Sequence, residues 1–189
     1  SVKKQTYSDI THHFTYDKPN CLNILDEYKN TSYKMDFNSN FKKMNKCFYN
    51  LYLNEVTENI PNDEWVLFLD DDSILIDNNF IKNLSVIIQN SNKNEVILFP
   101  IYINNFKRVL LKDEDVKNKK ITDIDMSNFI IHNSILKQFK FSGECAGDFK
   151  ILKNIYRSNS YKFSYYNDLP IGIWANYNHK IGGLKGKDF

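Results

Sequence analysis

Three consecutive carboxylates, Asp70, Asp71 and Asp72, follow directly on five bulky apolar residues, Trp65, Val66, Leu67, Phe68 and Leu69, and precede Ser73. A short apolar run of this kind predicts a buried central strand. Its end would deliver Asp70 and Asp72 to the carboxyl edge of a sheet, where open α/β folds keep their ligands. Alternate residues of an extended strand share a face, so Asp70 and Asp72 can point at one cation or polar ligand while Asp71 points elsewhere. So much negative charge at one point is costly unless something offsets it, and a divalent cation would do so.

The acidic triplet has several chemical readings. One is a metal and nucleotide-sugar site. A second is a phosphohydrolase of the haloacid dehalogenase type, whose first motif Asp70 to Leu75 nearly matches; Ile74 stands where that motif has threonine, and Asp70 would be the covalent nucleophile. A calcium loop fails, because Ile74 and Leu75 occupy positions that need a ligand and a glycine. A solvated acidic turn is the plainest reading. A second carboxylate group lies in Phe141, Ser142, Gly143, Glu144, Cys145, Ala146, Gly147, Asp148 and Phe149. Asp148 opens a predicted helix, where aspartate is a favoured cap. A carboxylate at either Asp148 or Glu144 can also take a proton from an attacking hydroxyl.

The elements that must position these groups follow from periodicity. Strands are predicted at 10–16, 32–36, 95–103, 127–132 and 161–166, besides the acidic one. Phe41, Met44, Phe48, Leu51, Tyr52 and Val56 fall at helical spacing, which predicts a long helix over 40–58. Further helices are predicted at 21–29, at 78–90 with Phe80, Ile81, Leu84, Ile87 and Ile88 inward, and at 148–157 with Phe149, Ile151, Leu152 and Ile155. The charged stretch 107–125 reads as an exposed hairpin or loop. Strands alternating with helices imply a largely parallel sheet covered on both faces.

Composition bounds the rest. A chain of 189 residues with 42% hydrophobic and 15% aromatic residues fits one globular domain. A net charge of +2 lacks the basic excess of a nucleic-acid binder. The three cysteines, Cys21, Cys47 and Cys145, are odd in number and widely spaced, which reads as free thiols in a reducing compartment. No stretch approaches the ~20 apolar residues of a membrane span and no signal peptide opens the chain, so a soluble cytoplasmic protein is expected.

Read in order, these segments resemble glycosyltransferases of the GT-A fold, particularly the inverting group called family 2. Residues Ser1 to Ile10 are similar to the end of their first helix, often Ser-Ile-x-x-Gln-Thr-Tyr-x-x-Ile, and the triplet stands where their Asp-x-Asp stands. The resemblance implies a single domain over 1–189 and an α/β fold with a mostly parallel, Rossmann-like central sheet and helices on both faces, with the family's first strand missing from the sequence. It implies donor contacts from Asp17, Lys43, Asn45, Asp70 and Asp71. The metal, Mn²⁺ or Mg²⁺, would be held by Asp72, with Asp70 and His179; a neutral imidazole suits Mn²⁺ better. His179 also reads as a plain tail residue. The resemblance puts the catalytic base at the helix start, which favours Asp148 over Glu144.

Other residues carry two readings each. Asp123 and Asp125 line a sugar pocket or belong to a charged loop. Trp174 and Tyr177 stack on a sugar or pack in the core. Lys185 and Lys187 close over a diphosphate or remain solvated. His12 and His13 read as structural. The expected activity is metal-dependent, inverting transfer from a nucleotide-diphosphate sugar, UDP-sugar favoured, to a glycan or other hydroxyl acceptor. No nucleic acid and no membrane span is expected to take part. The rivals are the phosphohydrolase and a non-catalytic nucleotide- or carbohydrate-binding module.

Overall fold

Residues whose side chains are apolar at every position, odd and even alike, need a cover on both faces of their strand, and the fold supplies it. The computed structural model describes residues 1–16, 32–34, 50–70, 72–111, 124–144 and 147–175. Its first large sheet has the order β3 (Trp65–Leu67), β8 (Phe129–His132), β5 (Glu95–Leu98), β9 (Lys162–Tyr165). One face carries Val96, Leu98, Phe129 and Ile131, packed with Ile135 and Leu136 of α3 (Asn133–Leu136) and Ile151, Leu152 and Ile155 of α4 (Gly147–Arg157). The opposite face carries Ile97 and Ile130, packed with Phe80 and Leu84 of α2 (Phe80–Gln89) and with a second sheet. Each fully buried Leu, Ile or Phe contributes about 1.5–3 kcal/mol, so α4 is held chiefly by its three core residues.

The second sheet has the order β4 (Ser73–Leu75), β10 (Ile173–Ala175), β6 (Ile101–Ile103), β7 (Arg108–Leu110). A small third sheet pairs β1 (Phe14–Tyr16) with β2 (Ser32–Lys34) in parallel. The remaining long helix is α1 (Asn50–Asn59). At the amino end, Val2–Lys4 form a short 3-10 turn, and Gln5 reaches the start of α2. Its Nε2 donates to the Asp77 carbonyl at 2.8 Å, and its Oε1 accepts from Ile81 N at 3.0 Å, which satisfies one of the orphan amides of the helix.

The expected mostly parallel, Rossmann-like sheet is not what forms. Among the described residues four of seven strand pairings are antiparallel: β3 with β8, β5 with β8, β4 with β10 and β6 with β7. Nor is β3 central; it pairs with β8 alone among the described strands. The physical reason lies in the connections. A parallel pair within one sheet needs a long crossover, but β3 passes to β4, β5 to β6 and β6 to β7 with no helix between them. The predicted strand 95–103 is broken at Phe99 and Pro100, where proline removes a ladder donor, and its halves enter different sheets. The helices predicted at 78–90 and 148–157 are present as α2 and α4, and the carboxyl end of the 40–58 helix is present as α1. The predicted helix at 21–29 lies outside the described residues. Among them no helix is long and apolar enough to cross a membrane.

Candidate functional site

Strands β3 and β5 both run antiparallel to β8, and β9 runs parallel to β5, so β3, β5 and β9 all end at one edge. Asp70 lies just past the carboxyl end of β3 at that edge. The chain does not continue extended through the triplet. Ser73 N donates to the Asp70 carbonyl at 3.0 Å, closing a tight turn that leads into β4. The strand geometry that would put Asp70 and Asp72 on one face therefore gives way to turn geometry. Asp70 is exposed and Asp72 is half-buried; Asp71 lies outside the described residues. The turn is also the crossing between the two large sheets, and β3 already ends at Leu67, three residues before the first carboxylate.

Phe68 ties this edge to the second carboxylate group. Its ring centroid stands 5.9 Å from that of Phe129 and 5.5 Å from that of Phe141. Asp70 follows Phe68 by two residues and Glu144 follows Phe141 by three, so chain reach keeps their Cα atoms within about 7 and 11 Å of those anchors. Helix α1 fixes the same segment. Asn54 Nδ2 donates to the Phe141 carbonyl at 2.9 Å, and Phe141 N donates to Asn54 Oδ1 at 2.8 Å. One turn earlier, Asn50 Nδ2 donates to the Glu144 carbonyl at 3.1 Å. Asn50 comes so close to Gly147 that a Cβ there would stand 2.5 Å from Asn50 Nδ2. Asn54 was not among the expected site residues. Its signal was present: Asn50, Asn54 and Thr57 at spacing i, i+4, i+7 make a polar stripe on a helix that buries part of it.

The two candidate bases differ in setting. Glu144 is exposed, and its carboxylate pairs with the Lys150 ammonium of α4. The hydrogen bond and the charge of Lys150 hold it below the usual glutamate range. A carboxylate made less basic in this way is a poor proton acceptor near neutral pH. Asp148 is the second residue of α4, in its first turn.

Asp125 has a structural role at the same edge. It is buried, its Oδ1 accepts from Ser127 N at 2.8 Å, and its own N–H donates to Asn128 Oδ1 at 2.8 Å. Asn128 Nδ2 in turn donates to the Phe99 carbonyl at 3.0 Å. This box sets the entry of β8 beside the end of β5. His132 lies at the opposite edge, across from Trp65. Burial, and secondarily Lys93, push its pKa down against an opposing pull from Asp63. Its Nδ1 stands 2.7 Å from Ser134 Oγ. His13 stacks on Tyr33 with centroids 5.8 Å apart, its Nδ1 3.0 Å from the Tyr33 hydroxyl.

Trp174, for which core packing was one reading, is 39% exposed. Asp17, Lys43, Asn45, Asp123, Tyr177, His179, Lys185 and Lys187 lie outside the described residues. Among the described residues no group of three or more His, Cys, Asp and Glu side chains could hold a metal ion. A metal clamped on a diphosphate needs fewer protein ligands: one or two carboxylates suffice beside phosphate oxygens and water. No family model matches this chain, and no curated protein matches it.

Proposed function

We propose that the chain transfers a sugar from a nucleotide-diphosphate sugar, UDP-sugar favoured, to a hydroxyl of a glycan or glycoconjugate, with inversion and with a divalent ion. The observation that carries the reading is the acidic turn at the common end of β3, β5 and β9, joined through Phe68 and Phe141 to the segment of Glu144 and Asp148. Two carboxylate groups with different tasks then border one edge.

In this mechanism Asp72 and Asp70 would hold the ion, with His179 a further ligand that the family resemblance suggests. Bound there, Mn²⁺ or Mg²⁺ would supply Lewis-acid stabilisation of the diphosphate leaving group. Asp148 accepts the proton of the acceptor hydroxyl as oxygen attacks the anomeric carbon and the bond to the diphosphate breaks. Glu144, kept ionised by Lys150, orients that segment and leaves the proton to Asp148. Asn50 and Asn54 fix the segment against α1, so that the base is positioned before substrate arrives.

The test is a thermal-shift screen of nucleotide sugars with and without Mn²⁺. A ligand of the native state at 100 times its Kd stabilises by about 2.7 kcal/mol, so at least one nucleotide sugar should raise Tm by several degrees, and only with the metal. A screen in which no nucleotide sugar shifts Tm, while a phosphate ester leaves an adduct on Asp70, would replace this reading with the phosphohydrolase.

A further inference from the structure

The two faces of the second sheet differ sharply. Ser73, Leu75, Ile173, Ala175, Ile101 and Ile103 alternate inward and are buried. The residues between them form one row in register across all four strands: Ile74 opposite Trp174, Trp174 opposite Tyr102, Tyr102 opposite Val109. Ile74 is 44% and Trp174 39% exposed. The rings of Trp174 and Tyr102 stand 5.8 Å apart at an interplanar angle of 50°. The row begins two residues after Asp72, on the strand into which the acidic turn leads.

We propose that this outer face is a carbohydrate-stacking surface, with Trp174 and Tyr102 under successive rings of a neutral glycan. Pyranose rings present C–H groups on their faces and hydroxyls around their edges. Aromatic faces carry negative quadrupole charge that attracts the C–H groups, and a half-exposed row leaves the hydroxyls in water. Ile74 and Val109 extend the apolar track on either side. The dimensions disfavour a protein partner. A whole aromatic side chain offers ~150–250 Å², so Trp174 shows less than about 100 Å². The row totals on the order of 300 Å², far below the ~800 Å² per partner of a standard interface. As the acceptor of the transfer reaction, which rests on the function proposed above, a glycan lying along this face would approach the acidic turn from the β4 side.

The experiment measures glycan binding without nucleotide or metal, so it does not depend on donor chemistry. The wild-type chain is applied to an array of immobilised neutral glycans, and the best binder is titrated by calorimetry. Binding should weaken at least tenfold in Trp174→Ala and in Tyr102→Ala and largely survive in Trp174→Phe, which keeps a ring. Absence of binding to every glycan, or binding that Trp174→Ala leaves unchanged, overturns the proposal. So does self-association in sedimentation that Trp174→Ala abolishes, because the face is then an interface between copies. Trp174-dependent glycan binding with no nucleotide-sugar binding would sustain this surface and sink the transferase reading. Metal-dependent donor binding with no glycan binding would do the reverse.

Discussion

At the scale of single residues, the decisive comparison is between Glu144 and Asp148. Glu144 carries a lysine partner and a depressed pKa, the setting of an ion pair rather than a base. If Asp148 takes the acceptor proton, Asp148→Asn should leave donor affinity near normal and cut transfer by ~10²–10⁴, because asparagine keeps the size of aspartate and loses its basicity. Glu144→Gln should cost far less. Single-turnover rates with donor affinity measured in parallel check this; a dead Glu144→Gln beside an active Asp148→Asn would exchange the roles. The residue types were legible in the sequence: the triplet, the helix-opening Asp148 and its glycine all stood out. Their setting was not. Nothing in the spacing announces that Lys150 reaches back to Glu144, or that Asp70 accepts the Ser73 amide and turns the chain.

Elements show the same division. The helix α2 was readable because five apolar residues recur at helical spacing over nine positions, and Phe80 and Leu84 are indeed buried. The second sheet was not, because its strands are three residues long and each carries only one or two of its side chains into the core. Its close approach to α2 depends on a single small residue. Gly172 precedes β10, its carbonyl accepts from Ile76 N at 2.8 Å, and a Cβ there would lie 2.0 Å from Phe80 Cδ2 and 2.2 Å from its Cγ. Phe80 is fully buried and has nowhere to move. Gly172→Ala should therefore destabilise by about 3 kcal/mol, at the upper end of overpacking costs. Urea unfolding measures it; a loss below about 0.5 kcal/mol would mean that α2 and β10 are not in this close contact.

For the whole molecule, strand direction was the part that pattern could not reach. Apolar residues at successive positions say that both faces of β3, β5 and β8 are covered, which holds for β5 and β8 while β3 is only half-buried, but they carry no information on which way a neighbour runs. The antiparallel β8 between β3 and β5 is thus invisible in sequence, yet it leaves the ends of β3, β5 and β9 together and so preserves the acidic edge. The molecule's charge groups also set its acid response. His132, His12 and His13 each have their pKa lowered, by burial first and, for His132 and His12, by neighbouring positive charge as well. The unfolded chain therefore takes up protons first as pH falls below about 6.5. Stability from these groups is complete above that value and declines as pH drops through the folded-state pKa values. Tm should be flat from pH 8 to 7 and fall between pH 6.5 and 5, with a shallower fall in His132→Gln; a Tm that rises with acidification would contradict it. The central claim is that the edge binds a nucleotide-diphosphate sugar through a divalent ion held by Asp72. Calorimetric titration of UDP-sugars into the wild-type chain and into Asp72→Asn, each with Mn²⁺ and with EDTA, tests it most directly. Binding is expected from the wild type with Mn²⁺ alone, and at least tenfold weaker binding from a folded Asp72→Asn; equal binding by the two proteins in Mn²⁺, or by the wild type in EDTA, would rule out that role for Asp72.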